Sequence, residues 1–315
     1  MDTDGFLRSA LAEDLGDAGD VTSAATIPED ARVSGHIVAR AGGCIAGLGV
    51  ALRTFTLLDG EVRAEPMLAD GTVVGAGSRL AAVSGPARSI LSAERVALNL
   101  LGHLSGIATA TRALVDRIEG TPARIVDTRK TTPTLRALEK AAVRAGGGGN
   151  HRMGLYDAVL IKDNHVQAVG SVAAAVARAR EALGRAPATV AGPSAADAAS
   201  REAGAGASGA VAGAPGGVAG PGGSARMTIE VEIDRLEDLE EAIAAGADIV
   251  LLDNMDPETM RAAVERAAGR CLLEASGGIT LETVREVAET GVDLISVGWI
   301  THSAPALDVA LDLEV

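Results

Sequence analysis

Two clusters of cations stand out in a chain whose formal net charge is −14. The stretch "DTRKTT" (127–132) sets Arg129 beside Lys130, with no acid until Glu139. A little further on, "RAGGGGNHRMG" (144–154) places four glycines ahead of Asn150, His151 and Arg152. Of 28 basic residues only Lys130, Lys140 and Lys162 are lysines, and no lysine lies outside that interval. Glycine lets backbone N–H groups approach an anion closely. A guanidinium offers a planar fork and an ammonium a compact point charge. The combination reads as a site for a multiply charged anion, against the plainer alternative of a solvated surface with a flexible glycine run. It is not a Walker A loop, because no Gly-Lys-Ser/Thr follows the glycines.

Other candidates fall at regular intervals along the chain. Lys162 closes the apolar run "DAVLIK". It could form a Schiff base, contact a carboxylate or phosphate, or simply pair with Asp163. Glu232 and Asp253 end two later apolar runs. Two carboxylates there could hold a metal, stabilise a developing positive charge, or pair with Lys130 or Lys162. "SGG" (276–278) and "VGW" (297–299) each follow an apolar run and have the look of a phosphate site built from the last loops of a barrel. His302 follows and could donate a hydrogen bond. His36 and His103 read as structural.

These residues need a scaffold that brings strand ends together. From residue 124 the chain alternates strand-like and helical stretches. The strands are "RIVDT", "AVLIK", "MTIEVE", "DIVLLD", "CLLEAS" and "LISVG". Helix starts are expected at Thr132–Pro133, Asp234 with Glu237, Asp256–Pro257 and Thr280. Alternation of this kind implies a parallel sheet with helices outside. Nearly every strand ends in polar residues or glycine, and in a closed barrel those ends share one face. The expected fold class is therefore α/β, a βα barrel of about six parallel strands preceded by a smaller α+β domain.

The preceding region holds a short amphipathic helix, "FLRSALAEDL". After it come the strand-like runs "ARVSGHIVAR", "CIAGLGV", "EVRAEPMLADG" and "SRLAAVSGPA". "DGTVVGAGSRLAAVSG" has the rhythm of a biotinyl or lipoyl carrier but lacks the lysine such a carrier modifies. A long helix follows, with Ser92 as its expected cap, Arg95 in the first turn, and apolar residues at 96, 97, 100, 101, 104, 107 and 108. The expected domains are 1–110 (α+β), 111–300 (barrel) and 301–315, a tail packing back on the first. Residues 184–226 are Ala, Gly, Pro and Ser-rich and read as a linker-like insertion on the face opposite the strand ends.

Composition narrows the class. Hydrophobic residues make up 47% of 315, enough for a sizeable core, and aromatics 1%. No apolar run is long enough to span a membrane. The acidic start lacks the features of a signal peptide. Cys44 and Cys271 are expected to be reduced thiols in the cytoplasm rather than metal ligands. The acidic balance argues against nucleic acid or an anionic membrane as partner.

Taken together, "EDLGDAGDVTS" (13–23), "SAERVALNLLGHLSGIAT" (92–109), "DTRKTTPTLRALEKAAVRAGGGGNHRMGLYDAVLIKDNH" (127–165), "EVE" (230–232), "LLDN" (251–254), "LEASGG" (273–278) and "VGWITHS" (297–303) resemble the quinolinate phosphoribosyltransferase family. The resemblance spans nearly the whole chain outside 184–226. Besides that insertion the chain departs at Thr134, where a glycine is expected, and at Trp299, where a small residue is expected. The resemblance implies transfer of phosphoribose from phosphoribosyl pyrophosphate to quinolinate with loss of carbon dioxide, giving nicotinate mononucleotide and pyrophosphate. It implies Mg²⁺, held mainly by the pyrophosphate with Glu232 and Asp253 as candidate ligands. It also implies a homodimer with shared active sites, open to higher assembly. Arg129, His151, Arg152 and Lys162, with Arg95 of the partner subunit, would hold the dicarboxylate. Lys130 would face the pyrophosphate, Ser276, Gly277, Gly278 and Gly298 the 5′-phosphate in a pocket that Trp299 narrows, and Thr128 is a further substrate contact. Lys162, Glu232 and Asp253 are the catalytic candidates. The rival readings are a barrel lyase using Lys162 as Schiff base, and a relative of the same fold associated with molybdate uptake.

Overall fold

The computed structural model describes residues 2–185, 218–219 and 225–314. They fall into two compact units. The first comprises residues up to 112, 132–147 and those from 300 onward; the second comprises 113–131 and 148–299.

In the first unit an antiparallel sheet is ordered β14-β1-β5-β3. Its strands are β1 (Arg32–Ala39), β3 (Arg63–Pro66), β5 (Arg79–Pro86) and β14 (Val309–Glu314), and β2 (Gly43–Cys44) pairs with β4 (Val73–Val74) beside it. Helices α1 (Thr3–Leu15) and α3 (Leu48–Leu58), flanking the short α2 (Val21–Thr26), share a core with the sheet and the first half of α4 (Ala87–Arg117). Phe55, Leu7, Ile37, Leu80 and Leu101 are fully buried there. Burying one such side chain contributes about 1.5–3 kcal/mol.

Two expectations for this unit are corrected. "CIAGLGV" is strand only at Cys44; Gly47 turns in the left-handed region (φ 80°) and α3 begins at Leu48. The helix containing Ser92 starts earlier, at Ala87 directly after Pro86. Ser92 therefore caps nothing; its hydroxyl donates to Asp20 Oδ2 (3.0 Å), and Arg95 lies well inside the helix rather than in its first turn. The apolar spacing holds, with residues 96, 97, 100, 101, 104, 107 and 108 all buried.

The second unit is a parallel barrel. Strands β6 (Arg124–Val126), β7 (Val159–Ile161), β10 (Ile229–Ile233), β11 (Ile249–Asp253), β12 (Leu272–Ser276) and β13 (Leu294–Ser296) are ordered β6-β13-β12-β11-β10-β7. The first strand thus lies against the last, and among the described residues the ring is interrupted only between β6 and β7. Gly149 fills that seam: its N–H donates to Ile125 O (2.8 Å) and its carbonyl accepts from Asp127 N–H (3.2 Å). A Cβ at Gly149 would come within 3.3 Å of Val126, so the glycine run lets the backbone lie flat against β6. β11 and β13 are almost wholly buried, as expected of parallel strands covered on both faces. Val126, Ile249 and Leu294, with Leu272 against them, form an apolar cluster.

The helix starts are mixed. Asp256 caps the helix Pro257–Ala267 as expected, accepting from Thr259 N–H, with proline in the first turn. Asp234 is not a cap: a short 3₁₀ turn, Leu236–Asp238, precedes the helix Leu239–Ala245. Thr280 lies in a turn before Val284–Ala288, and helix α5 (Arg136–Ala145) begins three residues after Pro133. Thr134, at the expected glycine position, has φ +70°. The insertion at 184–226 lies outside the described residues, except for Gly184, Arg185 and the backbone of a short antiparallel pair, β8 (Val218–Ala219) and β9 (Ala225–Arg226).

Candidate active site

At the C-terminal ends of the barrel strands, two kinds of surface meet. The β6–β7 side is made by cationic side chains. Asp127, fully buried at the end of β6, accepts from Asn150 Nδ2 (2.6 Å) and from the backbone N–H of His151 (2.8 Å). One carboxylate therefore fixes the loop that carries His151 and Arg152. Thr128 Oγ1 accepts from Lys130 N–H (3.0 Å), tightening the turn that presents Arg129 and Lys130. Arg152 is only 7% exposed. Its Nη1 donates to Ala158 O (3.2 Å), while its Nε is buried with no hydrogen-bond partner. Burial, and next the charge of Arg129, push the Arg152 guanidinium below its ordinary value, with Glu230 and Asp157 opposing. A guanidinium does not give up its proton in practice. The direction instead marks a desolvated cation beside another cation, a strain that a bound anion relieves.

Lys162 follows β7. Its Nζ is taken up by Glu232 Oε2 (2.6 Å), whose strand β10 is the neighbour of β7. The plain reading of these two as an ion pair holds. Asp253, at the end of β11, accepts from Asn254 Nδ2 (2.8 Å).

The β12–β13 side offers backbone instead. Asn254 N–H donates to Ser276 O (2.9 Å), and Gly277 and Gly278 follow at φ +100° and +60°. A Cβ on Gly277 would lie 2.1 Å from Asn254 Oδ1. Trp299, directly after Gly298, donates its indole N–H to Ile279 O (3.0 Å). The loops after β11, β12 and β13 are thus pinned to one another. The indole of Trp299 reaches across to the glycine loop as a tie between two loops.

Two residues singled out in the sequence lie in the first unit. Lys140 is fully buried in α5 of the first unit, next to the equally buried Glu139. Glu139 accepts from Thr132 N–H (3.1 Å) and pairs with His103 Nε2 (2.8 Å). Arg95 is exposed on α4, also in the first unit. The sequence reading missed Glu230 and Glu274. Both are buried around His151, whose Nε2 lies 2.9 Å from Glu230 and 3.7 Å from Glu274. The signal was present: strand side chains alternate, so Glu230 shares a face with Glu232, and Glu274 with Ser276.

A barrel mouth that sets cations opposite glycine loops suits a phosphoribosyl-transferring class, and the comparisons identify that class. Residues 20–105 match the model of the quinolinate phosphoribosyl transferase N-terminal domain, and 107–207 with 222–312 match that of the C-terminal domain. The chain belongs to the quinolinate phosphoribosyltransferase family. It is 42% identical to the nicotinate-nucleotide pyrophosphorylase [carboxylating] of Mycobacterium leprae, covering 98% of this chain and 95% of that one. It is 41% identical to the probable enzyme of the same name in Bacillus subtilis, over 98% and 93%. The crystal structure of NadC from Streptococcus pyogenes superposes with a TM-score of 0.82 at 37% identity, covering 99% of this chain and 96% of that one.

Proposed function

We infer that this protein is a nicotinate-nucleotide diphosphorylase (carboxylating) of NAD biosynthesis. It transfers phosphoribose from phosphoribosyl pyrophosphate to quinolinate and releases carbon dioxide. The observation that carries the substrate assignment is the buried Arg152, whose Nε has no hydrogen-bond partner and which lies within the field of Arg129. Quinolinate brings two carboxylates to it, and Lys130 and Lys162 extend the positive surface toward a pyrophosphate. Ser276, Gly277, Gly278 and Gly298 suit the 5′-phosphate through backbone N–H groups.

The chemistry follows from that placement. The pyridine nitrogen attacks C1′ as the bond to pyrophosphate breaks and its electron pair leaves with the pyrophosphate. C1′ passes through oxocarbenium character, which Glu232 and Asp253 stabilise electrostatically. The C2 carboxylate then departs as carbon dioxide. The electron pair it leaves on C2 is stabilised by the adjacent quaternary nitrogen until a proton is taken up.

Mg²⁺ is part of the proposal. Glu232 and Asp253 offer oxygen donors but no three-ligand cage, since the one such group among the described residues is His151, Glu230 and Glu274. Two carboxylates suit a hard cation that keeps waters and substrate phosphates in its shell. When bound, the ion would offset charge on the leaving pyrophosphate.

We also propose a homodimer in which Arg95 serves the partner's site, and a cytoplasmic location. Exposed Leu155 and Tyr156, just beyond Arg152, support a protein-covered mouth. No helix among the described residues is long and apolar enough to cross a membrane. Purified protein given both substrates should release carbon dioxide and form nicotinate mononucleotide; release from neither mixture nor order of addition would sink the assignment. For the dimer, mixing Arg95→Ala with Lys162→Ala subunits should restore activity, because a heterodimer holds one site free of both defects. Confirmed subunit exchange without recovery would place Arg95 outside the partner's site.

A further inference from the structure

We propose that Glu230 and Glu274 are positioning residues of the anion site. They act as a carboxyl–carboxylate pair that holds the His151 ring and, through it, the main chain of Arg152. This deepens the function proposed above and rests on it for the identity of the anion.

The geometry carries the argument. Glu230 and Glu274 are 2% and 1% exposed, on β10 and β12. Glu230 Oε1 and both oxygens of Glu274 are buried without a hydrogen-bond partner. With His151 they form the one group of three convergent donors among the described residues, within 4.8 Å of one another. Such a group could hold either a cation or a proton, and the backbone decides between them. Arg152 N–H donates to His151 Nδ1 (2.7 Å). That nitrogen supplies its lone pair, so the ring proton of the neutral imidazole sits on Nε2 and points at Glu230. A metal would need the Nε2 lone pair, which this tautomer does not have. The ring therefore bridges the Glu230 carboxylate to the backbone of the buried arginine. Asp127 grips the same loop through Asn150 and the His151 N–H.

The Glu274 carboxyl is buried against Glu230, and burial disfavours its charged form. Glu274 holds the proton. Burial first, and then the charge of Glu230, raise its pKa to about 8. The groups facing it are Glu230 of β10, His151 of the loop before β7, Asp127 at the end of β6 and the Ser296 hydroxyl of β13. Below that pH Glu274 adds no negative charge to the cluster. Above it a negative charge appears there and opposes an incoming dianion.

Two measurements test this. Nitrogen-15 spectra of the histidines, with His151→Asn for assignment, should show His151 as the neutral Nε2–H tautomer from pH 6 to 8. An imidazolium, or the Nδ1–H tautomer, would overturn the proposal whatever the ligand. Calorimetric titration with quinolinate should show wild-type affinity falling by about tenfold between pH 7 and 9, the scale of one ionisation felt through one pKa unit. In Glu274→Gln that fall should vanish, while Glu230→Gln should raise the KM for quinolinate by about tenfold with kcat changed far less. A Glu274→Gln profile that tracks wild type would refute the pair, as would a divalent ion co-purifying one per chain and lost in Glu230→Gln. Wild type that binds no quinolinate at pH 7 would instead refute the substrate assignment, leaving the tautomer spectra to judge the pair.

Discussion

The two sides of the barrel mouth recognise charge by different means. The β6–β7 side uses side chains: Arg129, Arg152 and Lys162 reach in from loops that Asp127 and Gly149 hold in place. The β12–β13 side uses main chain: glycines at positive φ sit in a loop tied by Asn254 and Trp299. A planar dicarboxylate has defined directions that a guanidinium fork can match. A phosphate is more nearly spherical and can be wrapped by backbone without any side chain. On the function proposed above, the difference would let one pocket sort two anionic substrates by shape rather than by charge.

That division can be broken side by side. The largest effect is expected for Arg152→Ala. Losing a charge-assisted hydrogen bond costs about 1.5–3 kcal/mol, so quinolinate affinity should fall roughly ten- to hundredfold. The KM for phosphoribosyl pyrophosphate should move much less; equal losses for both substrates would mean the sides do not divide the work. Gly277→Ala is the mirror experiment. A Cβ at φ +100° and 2.1 Å from Asn254 Oδ1 forces the loop to shift. About 1–2 kcal/mol should appear in the KM for phosphoribosyl pyrophosphate, with quinolinate binding kept. Trp299→Phe removes only the tie to Ile279. Its expected cost is about 0.5–1.5 kcal/mol on the same substrate, and no change there would make the tie irrelevant to the phosphate loop. The smallest effect belongs to neither side. Thr134, β-branched at φ +70°, carries left-handed strain of about 1–2 kcal/mol. Thr134→Gly relieves it but gives the unfolded chain more freedom, so a net gain of about 0.5 kcal/mol in denaturant unfolding is expected.

Stability against pH sharpens the account from beneath the site. A carboxyl raised from its ordinary range to about 8 keeps a proton in the folded protein that the unfolded chain has already lost. Stability should therefore decline as pH rises from about 4.5 toward 8, since the unfolded state binds fewer protons across that window. Wild type should lose more than Glu274→Gln over the same range in thermal unfolding.

The sequence made the barrel strands legible because each is a short apolar run ending in a polar or glycine residue, and that alternation survives folding. The cationic loops were legible because their residue types are out of place in an acidic chain. Helix starts were less so. Ser92 has the chemistry of a cap, but its hydroxyl is claimed by Asp20, and Pro86 sets the true start. The start of α3 hid because it falls inside "CIAGLGV", whose Cys44, Ile45 and Val50 suggest strand, while Gly47 in the left-handed region turns the chain into the helix. Lys140 looked like a third site lysine, yet it is interior to the first unit. Glu230 and Glu274 hid for another reason: a buried charge violates the usual inside-outside rule, and only its neighbours in space explain it.

The strand β14 has a consequence for how the chain is made. It pairs with β1 from Ser34↔Glu314 to Ala39↔Val309, so residues synthesised first wait for the last ones. Until then β1 has an open edge, a template on which another nascent chain can add. A chain that ends after residue 296 but before residue 309 contains all six barrel strands and a sheet with a sticky border. For this protein the danger in premature termination is aggregation seeded at the beginning of the chain, not the loss of any residue at its end.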